Sequence, residues 1–516
     1  MVFGRPRLPE LTKRCKRVRT RTIALAFLII MFSRVPGLSQ EMLGVTLGNY
    51  AGINGTQLNP SAMNSSKQYL DIQLIGLDVF IQNNYLYQDK QDYSFWNFFK
   101  PGYQFPAHEE DYGTEERIFY TYQNGRNKTA YMNLRINGPG AMLIWNRHAF
   151  ALTTAIREDM SIRNVPQNIA NFMYLGLNYV PQHNINYSIN QNFGAATAAW
   201  GEIGLSYSYL AYQKRYDRIA VGVSVKRLFG LAGGYLSVNQ MDYVVPDDST
   251  MIVNNLDATY GLSIPVDYYT NDFIAGNYVR GGGFGFDFGI TYTRTLRSAY
   301  TQYIRRPCEA RYEDYLYRIG LAVLDVGRIR FRENAASYAI DNRSSYWFDV
   351  NDMEFQSVGQ FLDTVSYQFY GDYTSAYRGN EVKVWLPSAI SMQFDYHYLG
   401  PWYFNASLIY GFRLSKSSIK RPAQLSITPR YELGWFEASL PLTLYDWYLP
   451  RIGLALRFYG LTVGTDKLGQ FFGISNFTGM DLYFNLKIPL DKGSCGPKGP
   501  KGCPAMDKAP GVKKKR

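Results

Sequence analysis

The run from Gly281 to Gly289 carries the most direct suggestion of chemistry in this chain, because glycines at 281, 282, 283, 285 and 289 would let backbone N–H groups cradle a phosphate. That chemistry needs a helix N-terminus behind the loop. Here Phe284, Phe286 and Phe288 alternate with the glycines in strict period two and no helical pattern follows. The run therefore reads as the wall of a strand. No Gly-x-Ser-x-Gly elbow or His-Glu-x-x-His pair occurs, and His108, His148, His183 and His397 show no metal-ligand spacing with one another or with the cysteines. The sequence assigns no catalytic residue, no metal and no cofactor. A hydrolase would lack a nucleophile paired with a base.

Five charged residues have more to say. Arg135, Glu202, Asp287, Arg318 and Lys487 lie in segments where large apolar side chains alternate with small or polar ones. Where the apolar face meets lipid, a mid-bilayer charge costs about 2 to 4 kcal/mol, so these five must turn to the opposite face. There they either pair with one another or line a path for a solute. Gly138, Pro139 and Gly140 interrupt one such segment. Proline withholds a ladder donor and glycine withholds packing, so the wall should bulge or open there.

The elements that position these residues are strands. Ile219, Val221, Val223 and Val225 alternate with Ala220, Gly222, Ser224 and Lys226; Met480, Leu482, Phe484, Leu486 and Ile488 behave likewise. One greasy and one wet face per segment suits either a soluble sandwich or a bilayer span of ~9 to 11 residues. The amino-terminal end decides for export. Arg5 to Arg21 are rich in cations, Ile23 to Phe32 are apolar, and Gly37 and Ser39 are small, which is the pattern of a signal peptide over residues 1–39. No later apolar run is long enough for a membrane helix, so entry into a membrane requires a closed barrel. Aromatic residues make up 16%, with 44 tyrosines, as interface girdles would demand.

The net charge of +12 is misleading. Residues 1–39 hold nine Lys or Arg against one acid, and 491–516 hold eight against two, which leaves the body slightly acidic and removes the case for nucleic acid. The Gly/Pro/Lys tail, 491–516, reads as disordered and periplasmic, with a weak contact to lipid headgroups or an acidic partner left open. Cys495 and Cys503 either pair with each other or remain free.

Fourteen alternating segments are expected: 69–82, 130–145, 148–157, 201–212, 218–228, 283–294, 315–326, 382–398, 403–413, 422–431, 436–444, 451–459, 460–467 and 478–489. Tight turns at 146–147, 213–217, 399–402 and 432–435 alternate with long connections at 83–129, 158–200, 229–282 and 327–381. This is the pattern of a barrel with short turns on one side and loops on the other. The linker 295–314 is too long for a turn. The fold class is all-β, a transmembrane antiparallel barrel spanning 69–490.

The segment Tyr50 to Met63, with Asn59 and Pro60, resembles the amino-terminal hatch of FadL-like outer-membrane barrels, where an Asn-Pro-Ala motif occurs; Ser61 departs from it. Gly281–Tyr292 and Tyr317–Gly327 look like strands of the related PorV-like barrels. The resemblance implies a hatch, residues 40–68, held in the lumen by Asn59 and Pro60, and in the family's transporters a lateral opening for hydrophobic molecules. It implies outer-membrane localisation with lipid as the surrounding partner. Two functions follow as expectations: passive passage of hydrophobic small molecules, or a platform for secretion-system components or envelope assembly. On the first, the opening would lie at Gly138, Pro139 and Gly140. Arginine at Val223 or Phe286 should then block assembly, and arginine at Ser224 or Thr291 should be tolerated in a hydrated lumen.

Overall fold

The computed structural model describes residues 42–494, apart from 92–99, 101–102, 104–107, 110–115, 275, 298–305, 351–352 and 354. The expected signal peptide, the chain beyond 494 and the question whether Cys495 and Cys503 pair or stay free lie outside the described residues.

Fourteen antiparallel strands close into one ring. They are β1 (Gln68–Asn83), β2 (Lys128–Asn137 and Gly140–Trp145), β3 (His148–Val165), β4 (Phe193–Lys214), β5 (Asp217–Val244), β6 (Gly281–Thr295) and β7 (Tyr315–Phe331). They continue as β8 (Val382–Trp385 and Ala389–Leu399), β9 (Trp402–Gly411), β10 (Gln424–Glu432), β11 (Phe436–Ser439 and Leu442–Tyr445), β12 (Leu449–Ile452 and Leu454–Phe458), β13 (Leu461–Thr465) and β14 (Asp481–Asp491). The ring shuts where β14 returns to β1, with Ile72 opposite Ile488 and Gln73 opposite Lys487. Closure removes every free sheet edge from the apolar belt, which is the condition for a sheet to stand in lipid. No described helix is long and apolar enough to cross a membrane.

The alternation sorts the two faces. Val221, Val225, Phe284, Phe286, Phe288 and Ile290 are exposed on the outside, while Ser224, Asp287 and Thr291 are buried within. Short turns gather at one end of the barrel, the turn end, and long connections at the other, the loop end. The linker 295–314 belongs to the turn end. Cys308 within it is disulfide-bonded, and its carbonyl accepts from the Gly493 N–H at 2.8 Å, so this linker holds the chain that leaves β14.

Strand lengths depart from expectation at the loop end. β3 runs to Val165, β4 starts at Phe193, β5 reaches Val244 and β7 reaches Phe331. The stretches 229–282 and 327–381 are not simply loops, because they contain the strands Met251–Ser263 and Ala335–Trp347, which pair with each other. β5 explains how. Its Asp217–Gly230 half pairs with β6, and its Gly233–Val244 half pairs with Met251–Ser263. A strand of 28 residues is roughly 90 Å long at ~3.3 Å per residue, far beyond one tilted crossing. The excess forms a sheet beyond the belt, covered by helices Gln167–Leu175 and Val358–Tyr370 around Ile169, Phe193, Tyr243, Val253, Ile340 and Phe369. There the polar/apolar alternation fades because a second layer covers the sheet, which is why the sequence pattern ends early.

Candidate functional site

Residues 42–66 fill the turn-end half of the lumen as one helical turn, Leu43–Thr46, and two 3-10 segments, Gly52–Gln57 and Pro60–Ser65. Asn59 organises this plug. Its side-chain oxygen caps the second segment by accepting from Ser61 N at 3.0 Å and Ser61 Oγ at 2.6 Å. Its amide donates to Thr291 Oγ1 and Gln393 Oε1, both at 3.3 Å. Pro60 stands at the first position of that segment, where no donor is needed. Ser61, the departure from the hatch motif, adds a 2.6 Å contact to Thr291 Oγ1 that alanine could not make.

The plug can come this close because the wall lacks side chains beneath it. A Cβ on Gly222 would lie 2.5 Å from Ser61 N, and one on Gly289 would lie 2.1 Å from Asn59 Oδ1. The glycines that first suggested a phosphate cradle thus include a seat for the protein's own backbone.

Two of the five charges also hold the plug. Lys487 Nζ donates to the carbonyls of Tyr50 (2.6 Å) and Ala51 (3.0 Å) and to Asp71 Oδ2 (2.8 Å), and Asp71 Oδ2 in turn accepts from Ile53 N at 2.9 Å. Gly52, at φ +58°, lets the chain turn against that carboxylate. Arg318 donates to Asn49 Oδ1 at 3.2 Å and to the Ser65 carbonyl at 3.4 Å, stacked 4.1 Å from the Tyr315 ring.

The other three enter a belt of charge above the plug. Arg135 pairs with Glu202 at 2.8 Å, and Asp287 pairs with Lys226 at 2.7 Å. Asp325 joins the two pairs: it meets Lys226 at 2.7 Å, Arg157 at 3.1 Å and Arg421 at 3.5 Å. Arg157 also reaches Asp159 at 3.0 Å and Glu202 at 3.6 Å, and lies over the Trp200 ring, whose N–H donates to Glu202 at 3.1 Å. Four cations and four carboxylates are balanced. A balanced, hydrogen-bonded set can remain ionised where an isolated charge could not.

The Gly138-Pro139-Gly140 break lies beside this belt, at the seam between β1 and β2. Ladder pairs run to Gly76–Asn137 on one side and resume at Gln73–Gly140 on the other, so Leu74 and Ile75 face Gly138 and Pro139 without pairing. On the β3 side the break is held, because Gly138 N donates to Thr154 O and Thr154 Oγ1 to Pro139 O, both at 2.8 Å. A cavity of about 30 Å³ lies against the lumen side, bounded by Ile53 and Gln57 of the plug, Gly138, Gly140, Arg135, Glu202, Lys226 and Asp287. Two further cavities, each about 40 Å³, flank the plug at Arg318 and the belt at Arg157. Each has room for a few waters. On the lipid side an apolar groove of about 550 Å³ runs over β2 to β5, lined by Ala141, Leu143, Phe150, Leu152, Leu205 and Val225, and none of the residues of the break lines it.

The model of a family of unknown function, DUF5723, matches residues 60–466, from the plug's Pro60 to the end of β13. The chain belongs to this family. No curated protein matches the sequence. Among solved structures, this DUF5723 barrel is similar to a deltaS2S3 mutant of the monoaromatic hydrocarbon channel TodX (9% identity, covering 87% of this chain and 97% of that one, TM-score 0.38). It is also similar to the Pseudomonas putida toluene transporter TodX (8%, 88% and 96%, TM-score 0.29) and to a Pseudomonas aeruginosa FadL homologue (10%, 88% and 98%, TM-score 0.20). Likeness at these scores transfers neither solute nor mechanism to the DUF5723 chain.

Sequence reasoning missed Arg157, Asp159, Lys226, Asp325 and Arg421. Lys226 was visible on the wet face of its strand. Asp325 was not, because counting by twos from Arg318 turns it toward lipid. A β-bulge opposite Phe286–Phe288, with Asp325 at φ +52°, turns it inward instead. A carboxylate on the lipid-facing phase was itself the signal that the phase must break.

Proposed function

We propose that this protein is an outer-membrane barrel through which apolar small molecules pass, leaving sideways into the bilayer at the Gly138-Pro139-Gly140 break. The observation that carries this reading is the unpaired stretch of the β1–β2 seam, which has a cavity at Gly138 and Gly140 on its lumen side and leaves the apolar Leu74 and Ile75 exposed opposite the break. A solute that prefers hydrocarbon gains by leaving into lipid, not into water. The plug and the charge belt close the inner side, so passage requires their movement and the barrel is gated. A valine at position 139 restores the backbone donor that proline withholds, and Pro139→Val should abolish uptake of a labelled long-chain lipid by cells while leaving the amount of assembled barrel unchanged. Normal uptake in that variant would remove the sideways exit.

A second reading, a platform for secretion-system components or envelope assembly, draws on the sheet beyond the belt, which leaves Tyr269, Phe273, Tyr278, Phe348 and Tyr373 exposed. Deleting the barrel would then impair export while the wild type shows no lipid uptake.

A further inference from the structure

Above the charge belt, the loop-end half of the lumen is lined by apolar side chains fixed to the wall: Trp200 on β4, Leu228 on β5, Ile329 and Phe331 on β7, Val384 on β8 and Leu386 just after it. One member of this cluster comes from elsewhere. Ile419 lies on the connection 412–423 between β9 and β10, which crosses the lumen as a strap, and its side chain is 2% exposed among those wall residues.

The strap is held differently from the wall. Ile419 N donates to Trp385 O at 3.1 Å and Trp385 N to Ser417 O at 3.3 Å, a single bridge on the edge of β8 that β7 does not cover. Lys420 N donates to Ser161 Oγ at 2.8 Å, and Arg163 donates to the Lys416 carbonyl at 2.8 Å. Arg413, Leu414 and Lys416 are exposed. Segments with few backbone bonds and exposed tips open at the lowest free energy. Departure of the strap takes Arg421 out of the belt, while Asp325 keeps Lys226 at 2.7 Å and Arg157 at 3.1 Å, and Arg163 would be rehydrated from the loop end.

We propose that residues 412–423 are the outer gate of the barrel, and that Ile419 occupies in the closed state the site that an uncharged apolar small molecule takes when the strap swings out. The inference rests on the passage reading above and adds its entry site and control. The cluster offers rings and aliphatic groups, so the site suits an apolar solute, with Arg163 as the charged group beside the strap. Competition between Ile419 and solute makes the apparent affinity the intrinsic one reduced by the fraction of open strap.

The test uses the full-length protein in liposomes with the neutral fluorophore N-phenyl-1-naphthylamine as probe. Ile419→Ala weakens the internal competitor and should tighten probe binding by about tenfold or more. Ser161→Cys with Lys420→Cys, oxidised, should lock the strap and weaken binding by about tenfold relative to the same protein reduced. Wild type treated with the same reductant controls for the native disulfide at Cys308. Equal affinity in wild type, Ile419→Ala and the locked protein overturns the gate while leaving the sideways exit to the Pro139→Val test. Absence of probe binding in all three, reduced or oxidised, overturns the gate and the passage reading together. Gate variants that respond while Pro139→Val passes solute normally support the gate and remove only the exit.

Discussion

Gly222 and Gly289 face each other across β5 and β6, and the plug backbone at Asn59 to Ser61 rests on the floor they make. Neither is needed for strand geometry. Their missing side chains make the space in which Asn59 reaches Thr291 and Gln393, so the docking of the plug is written into the wall as well as into the plug.

Gly222→Val should therefore dislodge the plug. Its Cβ would fall 2.5 Å from Ser61 N and 2.6 Å from the Pro60 carbonyl carbon, contacts with backbone that cannot rotate away. Overpacking of this kind costs about 1 to 3 kcal/mol. Limited proteolysis of the detergent-solubilised barrel checks it: cleavage near residues 50–66 should appear in the variant and be absent in wild type. An uncut variant would show that the plug is held without this floor.

The two faces of one strand should fail in different ways. Phe286→Arg places a cation on the lipid face at a cost of about 2 to 4 kcal/mol and should prevent insertion, so the variant is lost from the membrane fraction. Thr291→Arg and Ser224→Arg were expected to be tolerated in a hydrated lumen, and the structure corrects this. Thr291 is buried against Ser61 and Asn59, and Ser224 Oγ lies 2.7 Å from Ser206 Oγ, so neither position has room for arginine. These variants should insert as heat-modifiable barrels on gels and then show a protease-sensitive plug.

Asp325→Asn should be the most damaging single change in the charge belt. It leaves Arg157 and Lys226 buried with less compensation, and removal of one partner from a buried ionic set costs about 3 to 5 kcal/mol. Arg421→Met should cost less, because Asp325 retains its two shorter contacts. Comparing the thermal unfolding midpoints of the two variants in one detergent would decide the ranking, and a larger loss for Arg421→Met would make the strap, not the belt, the stabilising element.

Much of this barrel could be read from residue order. Alternation of side chains is a local property of a strand, so Val221 and Phe286 facing out and Ser224 and Asp287 facing in follow from counting by twos, and closure into fourteen strands follows from segments that leave no apolar face uncovered outside lipid. Asn59 and Pro60 were legible only through their resemblance to the Asn-Pro-Ala hatch motif. Lys487 as the anchor of Tyr50 and Ala51, and Arg157 as the partner of Asp325, were not. Those contacts join residues 437 and 168 positions apart, and which strands face each other across the lumen depends on how the closed sheet is sheared and where it bulges, which no single strand encodes. The residue order thus determined which way each regular side chain points. Only the closed tertiary structure decided what it meets there, because partners across a barrel are chosen by closure and by bulges such as the one at Asp325, where the local period fails.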